Sequence, residues 1–579
     1  MSTSDKDRKG VTRRGFVKGV AAVAGTAGLA VATGGAALLM PEEAQASASV
    51  AVMPKKRHYE ADVVVLGTGF AGQTVAITAH DAGASVLMIE KAPQKDQGGN
   101  SRVCGQGFLS PTKAIWDDYF KYLKQMTTGV GMPVPDEQLR LFVEESSKNV
   151  EWFKSMGATV SPDVELGIPL GTWIPFYSHF PGAKAIATEP GYYSVTGKYK
   201  GPGSNWYFLE DQVLQRKKIR KLFETPAKRL IQNPLTREIF GVVAERGGKE
   251  IFIKAKRAVC VCSGGFEYNM QMKRDFQGQP VPSYTYGSPY NTGETIKMCW
   301  AAGADIRAMS SFSSPCRYSA GMKPGVHAAL RAEPMFLKGV CIMVGANNKR
   351  WFDEYRPRMA GMQYLGVSHL EGACADTGTV IENGVFVKMK FPMPMHMIFD
   401  EEARKSKNVF AGSSWAEEVG GLKLSKDNSE EIEKGWITKA DNIRELAAKI
   451  GRNPDELEAT INRWNKSCEA GKDLEFDKGD PNFVPYYRKP ANFKPIIGGP
   501  LYALEVFPVN LNTQGGMKRN TLGQVIDIND KPIPRLYSAG ENGDIWTWLY
   551  QCMSNVGAGC YGFGRIAGKN ASAEKPWKG

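Results

Sequence analysis

Gly67-Thr68-Gly69-Phe70-Ala71-Gly72 sets three glycines at G-x-G-x-x-G spacing, and Glu90 follows a short apolar run downstream. Residues of these types at this spacing recognise the pyrophosphate of a dinucleotide. Gly67 permits a tight turn, Gly69 lets the backbone approach phosphate, and Gly72 lets helix and strand pack; Glu90 accepts hydrogen bonds from a ribose diol. A second chemistry-bearing stretch holds Trp546, Trp548 and Tyr550 ahead of Asn555-Val556-Gly557-Ala558-Gly559. Flat rings with polar tips suit the walls of a site for a cyclic or aromatic molecule, the alternative being packing in a domain core.

The elements that must position these residues can be read around them. Ala61 to Leu66 (ADVVVL) is a valine-rich run of the kind buried in a parallel sheet, Gln73 to Ala82 reads as helix, and Ser85 to Ile89 as the next strand. Strand, glycine turn, helix, strand and acidic residue together make the dinucleotide unit far more specific than the glycines alone. The helix N-terminus adds free N–H groups and a positive dipole end.

At 579 residues, 42% hydrophobic and 23% charged, the chain calls for at least two folded domains and excludes disorder and repeats. The net charge of +13 is spread rather than striped, with no recognisable nucleic-acid module. The ten cysteines show no C-x-x-C, haem-c or ferredoxin spacing, so no metal is expected and most thiols read as small buried hydrophobes. Thr12-Arg13-Arg14-Gly15-Phe16-Val17-Lys18, the Gly- and Ala-rich run to Met40 and Ala44-Gln45-Ala46 form a twin-arginine export signal over residues 1–46. A periplasmic or cell-surface location is expected, with membrane association through an electron donor.

After the second strand, Gly98-Gly99-Asn100-Ser101 resembles the segment that flavoproteins of the fumarate reductase type bring against the flavin diphosphate and ring. Cys262-Ser263-Gly264-Gly265-Phe266, at the end of a hairpin built from Gly241 to Ala244 and Ile251 to Val261, resembles that family's second fingerprint. Leu536-Tyr537-Ser538-Ala539-Gly540-Glu541 resembles its third. The likeness covers most of Ala61 to Ala571 and extends to urocanate reductases and 3-ketosteroid dehydrogenases. It implies an α/β fold: a Rossmann-like FAD-binding domain over 57–325 and 493–575, with an inserted α+β capping domain over 326–492. It implies noncovalent FAD held by Gly67, Gly69, Phe70, Ala71, Gly72, Glu90, Lys91, Gly98, Gly99, Asn100, Ser101, Gly105, Ser263, Gly264, Gly265, Gly515, Gly516, Gly540, Glu541, Asn555 and Gly557.

In the capping segment, Lys439 to Cys468 follows a helical period broken at Gly451-Arg452-Asn453-Pro454, with Asn453 or Asp455 starting the second helix. The run from Lys349 to Arg358 resembles the family's catalytic stretch, with Arg358 at the position of its arginine. A guanidinium there passes a proton to one carbon of an activated C=C while flavin N5 supplies hydride to the other. Glu333 and Lys338 fall near the family's proton relay.

The departures concern the substrate. Where the dicarboxylate reductases carry His and Arg, this chain has Thr547 and Gln551; their His before Thr-x-Gly-Gly is Asn512, followed by Thr513. A carboxylate buried without cationic partners is costly, so a C4 dicarboxylate is not expected. With Trp546, Trp548 and Tyr550 beside the gap, the expected activity is reduction of a neutral or aromatic α,β-unsaturated molecule, an enone or aryl-acrylate. Electrons then come from an external cytochrome or FMN protein linked to quinol. The rivals are a 3-ketosteroid dehydrogenase-like enzyme and a flavin electron shuttle without turnover.

Overall fold

The computed structural model describes residues 57–128, 134–162, 180–188, 191–277, 284–313, 318–332, 338–350, 379–382, 385–388, 392–410, 414–476, 493–543 and 555–577. The valine-rich run forms the strand Tyr59–Leu66 at the heart of a mixed sheet. Its parallel core runs Pro532–Ser538, Lys249–Val261, Tyr59–Leu66, Val86–Ile89, Ile219–Leu222. Val63, Val64 and Val65 are fully buried, as expected of a strand covered on both faces. The hairpin Ile239–Arg246 to Lys249–Val261 is antiparallel, and its second strand continues into the parallel core.

The first helix spans Phe70–Asp81, starting directly after Gly69 rather than at Gln73. Gly72 in its first turn has weak helix propensity and hides the start from periodicity alone. Against it packs the helix Phe563–Ala573, preceded by a π-helical turn Asn555–Gly562. The contact is close because a Cβ on Gly564 would lie 2.8 Å from Thr74, and one on Gly568 2.8 Å from Val75 O.

A second sheet is antiparallel, ordered Leu330–Ala332, Tyr318–Gly321, Leu501–Pro508, Met395–Asp400, Cys341–Val344, with Thr438–Ala440 also on Leu501–Pro508. Two of its strands thus come from outside 326–492, one on each side. The helices Ile443–Lys449 and Pro454–Glu469 cover it through Leu446, Leu457, Ile461 and Trp464. Asn453 caps the longer helix, accepting from Asp455 N–H at 3.0 Å and Glu456 N–H at 3.2 Å, with Pro454 opening it. Lys439, expected in a helix, lies in a strand. Arg350 is fully buried on Asp473, Nη1 to Oδ1 at 2.9 Å and Nη2 to Oδ2 at 2.8 Å, with its guanidinium over the Trp464 ring.

Candidate functional site

Four parallel strands end at one edge, and their carboxyl ends hand the chain to Gly67, Glu90, Cys262 and Gly540. All four line a cavity of about 480 Å³. Ligands of open α/β sheets sit at this edge because the helix N-termini and loop N–H groups converge there.

The cradle is shaped by backbone that side chains would block. Gly67 has φ +105°, and a Cβ there would meet Cys262 O at 2.5 Å; one on Gly72 would meet Gly67 O at 2.2 Å. Gly69 is extended and puts no side-chain cap on the helix; Gly69, Phe70 and Ala71 line the cavity, and Phe70 N–H donates to Ser101 Oγ at 2.9 Å. Glu90 is held at the cavity edge, accepting from Thr68 Oγ1 at 2.7 Å and from Ala92 N–H at 3.0 Å. Thr68 Oγ1 in turn accepts from Gly98 N–H at 3.1 Å, and Trp206 Nε1–H donates to Thr68 O at 2.9 Å. Lys91 pairs with Glu294 at 3.0 Å, both on the cavity wall.

A buried carboxylate organises the part of the wall formed by Asn100 and Asn291. Glu267, fully buried, accepts from Asn100 Nδ2 at 2.7 Å, Asn291 Nδ2 at 2.6 Å and Thr513 Oγ1 at 3.3 Å. Asn100 Oδ1 accepts from Ser288 N–H at 2.8 Å, so its amide is fixed at both ends. Burial raises the Glu267 carboxyl above its ordinary value, against the hydrogen bonds that lower it. Burial also pushes the nearby Lys273 ammonium down to about 8, opposed by the Glu267 charge.

The third loop is held from below. Arg519, 2% exposed, donates to Gly540 O at 2.8 Å and Ser538 Oγ at 3.2 Å, while Asn542 Nδ2 donates to Val261 O at 2.7 Å. Glu541 accepts from the Asn512 amide nitrogen. Burial pushes the Cys104 and Cys262 thiols up to about 12, so they stay neutral and serve as apolar lining or packing. No cluster able to hold a metal ion occurs among the described residues.

Of the expected cofactor residues, Gly67, Gly69, Phe70, Ala71, Glu90, Lys91, Gly98, Gly99, Asn100, Ser101, Ser263, Gly264, Gly540 and Glu541 line the cavity. Gly72, Gly265, Gly515, Gly516 and Gly557 instead permit close packing: a Cβ would lie 2.0 Å from Thr513 Oγ1 at Gly265, 2.4 Å from Met309 Cα at Gly515, and 2.8 Å from Leu109 N at Gly557. Gly516 meets Asn542 O at 2.0 Å in the same sense. Gly105 is exposed, and Asn555 opens the π-helical turn. Asn512 and Thr513 are buried between Glu541 and Glu267. Lys338 is exposed, its backbone N–H on Ser406 Oγ at 3.0 Å. Arg358, Glu333, Trp546, Thr547, Trp548, Tyr550 and Gln551 lie outside the described residues. Thr68, Asn291, Thr225 and Thr295 also line the cavity and carry no motif of their own; Thr68 alone, inside the glycine turn, had a positional signal.

The donor set and the glycine cradle fit a dinucleotide, and the fold and site together define an FAD-dependent oxidoreductase. The model of the FAD binding domain family matches residues 62–555, and the chain belongs to that family. It is 26% identical to 3-oxosteroid 1-dehydrogenase of Mycolicibacterium smegmatis over 83% of this chain and 91% of that one. Urocanate reductase of Eggerthella lenta is 26% identical, covering 89% of this chain and 75% of its own length. Vinyl phenol reductase of Lactiplantibacillus plantarum is 24% identical over 90% and 97%. The fold resembles that of 3-ketosteroid delta1-dehydrogenase from Sterolibacterium denitrificans, with TM-score 0.66, 22% identity and coverage of 89% and 99%. It also resembles a flavocytochrome c3 fumarate reductase, at 0.62, 19%, 92% and 81%.

Proposed function

We propose that this protein reduces an activated C=C bond in a neutral or aromatic α,β-unsaturated substrate, an enone or aryl-acrylate, as an exported respiratory reductase. The observation that carries the reading is the contact between Asn512 and Glu541 at the cavity wall. Asn512 brings a neutral amide to the Glu541 carboxylate where the dicarboxylate reductases carry His, so this position offers no cation to a C4 dicarboxylate. Similarity to a vinyl phenol reductase and a urocanate reductase supports reduction of a conjugated alkene.

Bound FAD supplies the electron pair. The chain's own residues hold the cofactor edge, close the site against water and deliver a proton. Arg358 is the proton donor in this reading, with Glu333 and Lys338 restoring its proton. The twin-arginine segment over residues 1–46 sends the folded, loaded protein across the membrane, where a cytochrome or FMN protein passes it electrons from quinol.

The test is anaerobic. Holoenzyme reduced with dithionite is mixed with benzalacetone or a cinnamate, and the flavin absorbance followed; prompt reoxidation with saturated product supports the reading. Reoxidation by no alkene would leave an electron shuttle. Turnover intact in Arg358→Ala would remove that residue's role. The opposite direction is favoured by the similarity to 3-oxosteroid 1-dehydrogenase. Reduction of the oxidised flavin by a saturated 3-ketosteroid, with the enone inert, would establish it.

A further inference from the structure

The strand Asn512–Thr513 pairs antiparallel with Phe312–Ser313, and Gln514 continues the ladder by donating its N–H to Ser311 O at 3.1 Å. Side chains alternate along an extended chain, so Thr513 points one way, into Glu267, while Asn512 and Gln514 point the other. Asn512 reaches Glu541 on that side, and Glu541 lines the cofactor cavity.

Gln514 is 2% exposed and Asn512 4%. Among the described residues, neither the oxygen nor the nitrogen of the Gln514 amide has a hydrogen-bond partner, and neither has Asn512 Oδ1. The Asn512 orientation is fixed, because only its nitrogen can donate to the Glu541 carboxylate. Buried amide atoms without partners are rare in folded chains and each is costly, so three of them on the side of this strand that meets the cavity-lining Glu541 mark a surface built for a ligand.

The set is chemically selective. Two carbonyl oxygens and one NH2 require a partner with two donors and one acceptor. A carboxylate or a ketone brings no donor, and the pyrimidine edge of a flavin brings one. A vicinal pair of hydroxyl groups, on a substrate ring or on the ribityl chain of FAD, brings both donors and an accepting lone pair, and the FAD content of a Gln514 variant distinguishes the two sources.

We propose, resting on the reductase reading above, that Asn512 and Gln514 form the polar end of the substrate site and select alkenes whose ring carries hydroxyl groups, best a vicinal pair. One hydroxyl donates to Asn512 Oδ1; the other donates to Gln514 Oε1 and accepts from Gln514 Nε2.

The experiment measures binding to oxidised holoenzyme through the perturbed flavin spectrum. The probes are benzalacetone, its para-hydroxy derivative, its catechol derivative and the saturated ketone of the catechol. Each hydroxyl should tighten binding roughly fivefold or more, the value of a net hydrogen bond, in both unsaturated and saturated ketones. In Gln514→Leu the ratio between catechol and parent should collapse, with FAD stoichiometry measured on the same sample. Because the saturated ketone reports binding without turnover, the proposal stands or falls even where no alkene reoxidises the flavin. Equal binding of all probes by the wild type would overturn it, as would a Gln514→Leu protein that keeps the ratio. Loss of FAD with the ratio retained would assign the amide to the cofactor instead. Where Gln514→Leu fails to fold, the wild-type series and the length-matched Gln514→Met decide.

Discussion

The two sides of the strand Asn512–Thr513 differ in who completes them. On one side Thr513, Glu267, Asn100 and Asn291 hold one another by direct hydrogen bonds. On the other, Asn512 Oδ1 and both amide atoms of Gln514 are buried without partners among the described residues. The cofactor wall is preorganised by the chain, and the neighbouring wall is left for a ligand to complete.

The sharpest way to break the first side is Gly265→Ala. Its Cβ would stand 2.0 Å from Thr513 Oγ1 and 2.7 Å from Glu267 Oε2, forcing the hub apart. The expected cost is about 3 kcal/mol, read as a lowered melting temperature together with loss of bound FAD.

A control from the second sheet shows a buried group satisfied far from that hub. His396 is held near 4, chiefly by burial and then by the Arg452 charge, with Arg452 Nη2 2.9 Å from its Nδ1. The folded value lies below the ordinary value of 6.5, so protonation favours the unfolded chain. Stability from this group is full above pH 6.5 and is lost as pH falls toward about 4, a change of about 3 kcal/mol. His396→Gln should flatten the stability curve over that window without changing FAD content.

Glu267→Gln makes a smaller change, about 1–2 kcal/mol, by replacing one acceptor oxygen with a donor that faces Asn100, Asn291 or Thr513. Its pH dependence has the opposite sense. The folded carboxyl is raised, so wild-type stability declines as pH climbs above the ordinary carboxyl value, and the variant should gain on wild type in that direction. Thr513→Val is the mildest, about 1 kcal/mol, since it removes the hydroxyl that accepts from Phe266 N–H at 2.8 Å. An FAD affinity that ignores Glu267 and Thr513 would end the comparison.

The glycine turn, the valine strand and the acid at Glu90 were legible because each is a local requirement of backbone geometry. Glu267 was not: a glutamate after Gly-Gly-Phe carries no sign that three distant side chains converge on it. The second sheet was hidden for a related reason. Its central strand, Leu501–Pro508, arrives from beyond the charged segment, and strands such as Thr438–Ala440 are too short to show alternation. Asn512 was visible as a departure from a family pattern. The orphaned atoms of Gln514 appear only when burial and partners are known.

The central claim is that this site takes a neutral or aromatic alkene and not a C4 dicarboxylate. Its most direct test is a comparison on dithionite-reduced holoenzyme, with fumarate and the catechol derivative of benzalacetone offered separately at equal concentration and the flavin absorbance followed anaerobically. The account predicts rapid reoxidation by the catechol ketone and at least a hundredfold slower reoxidation by fumarate, the approximate discrimination expected when a buried carboxylate finds no cation. Reoxidation by fumarate as fast as by the ketone would contradict it.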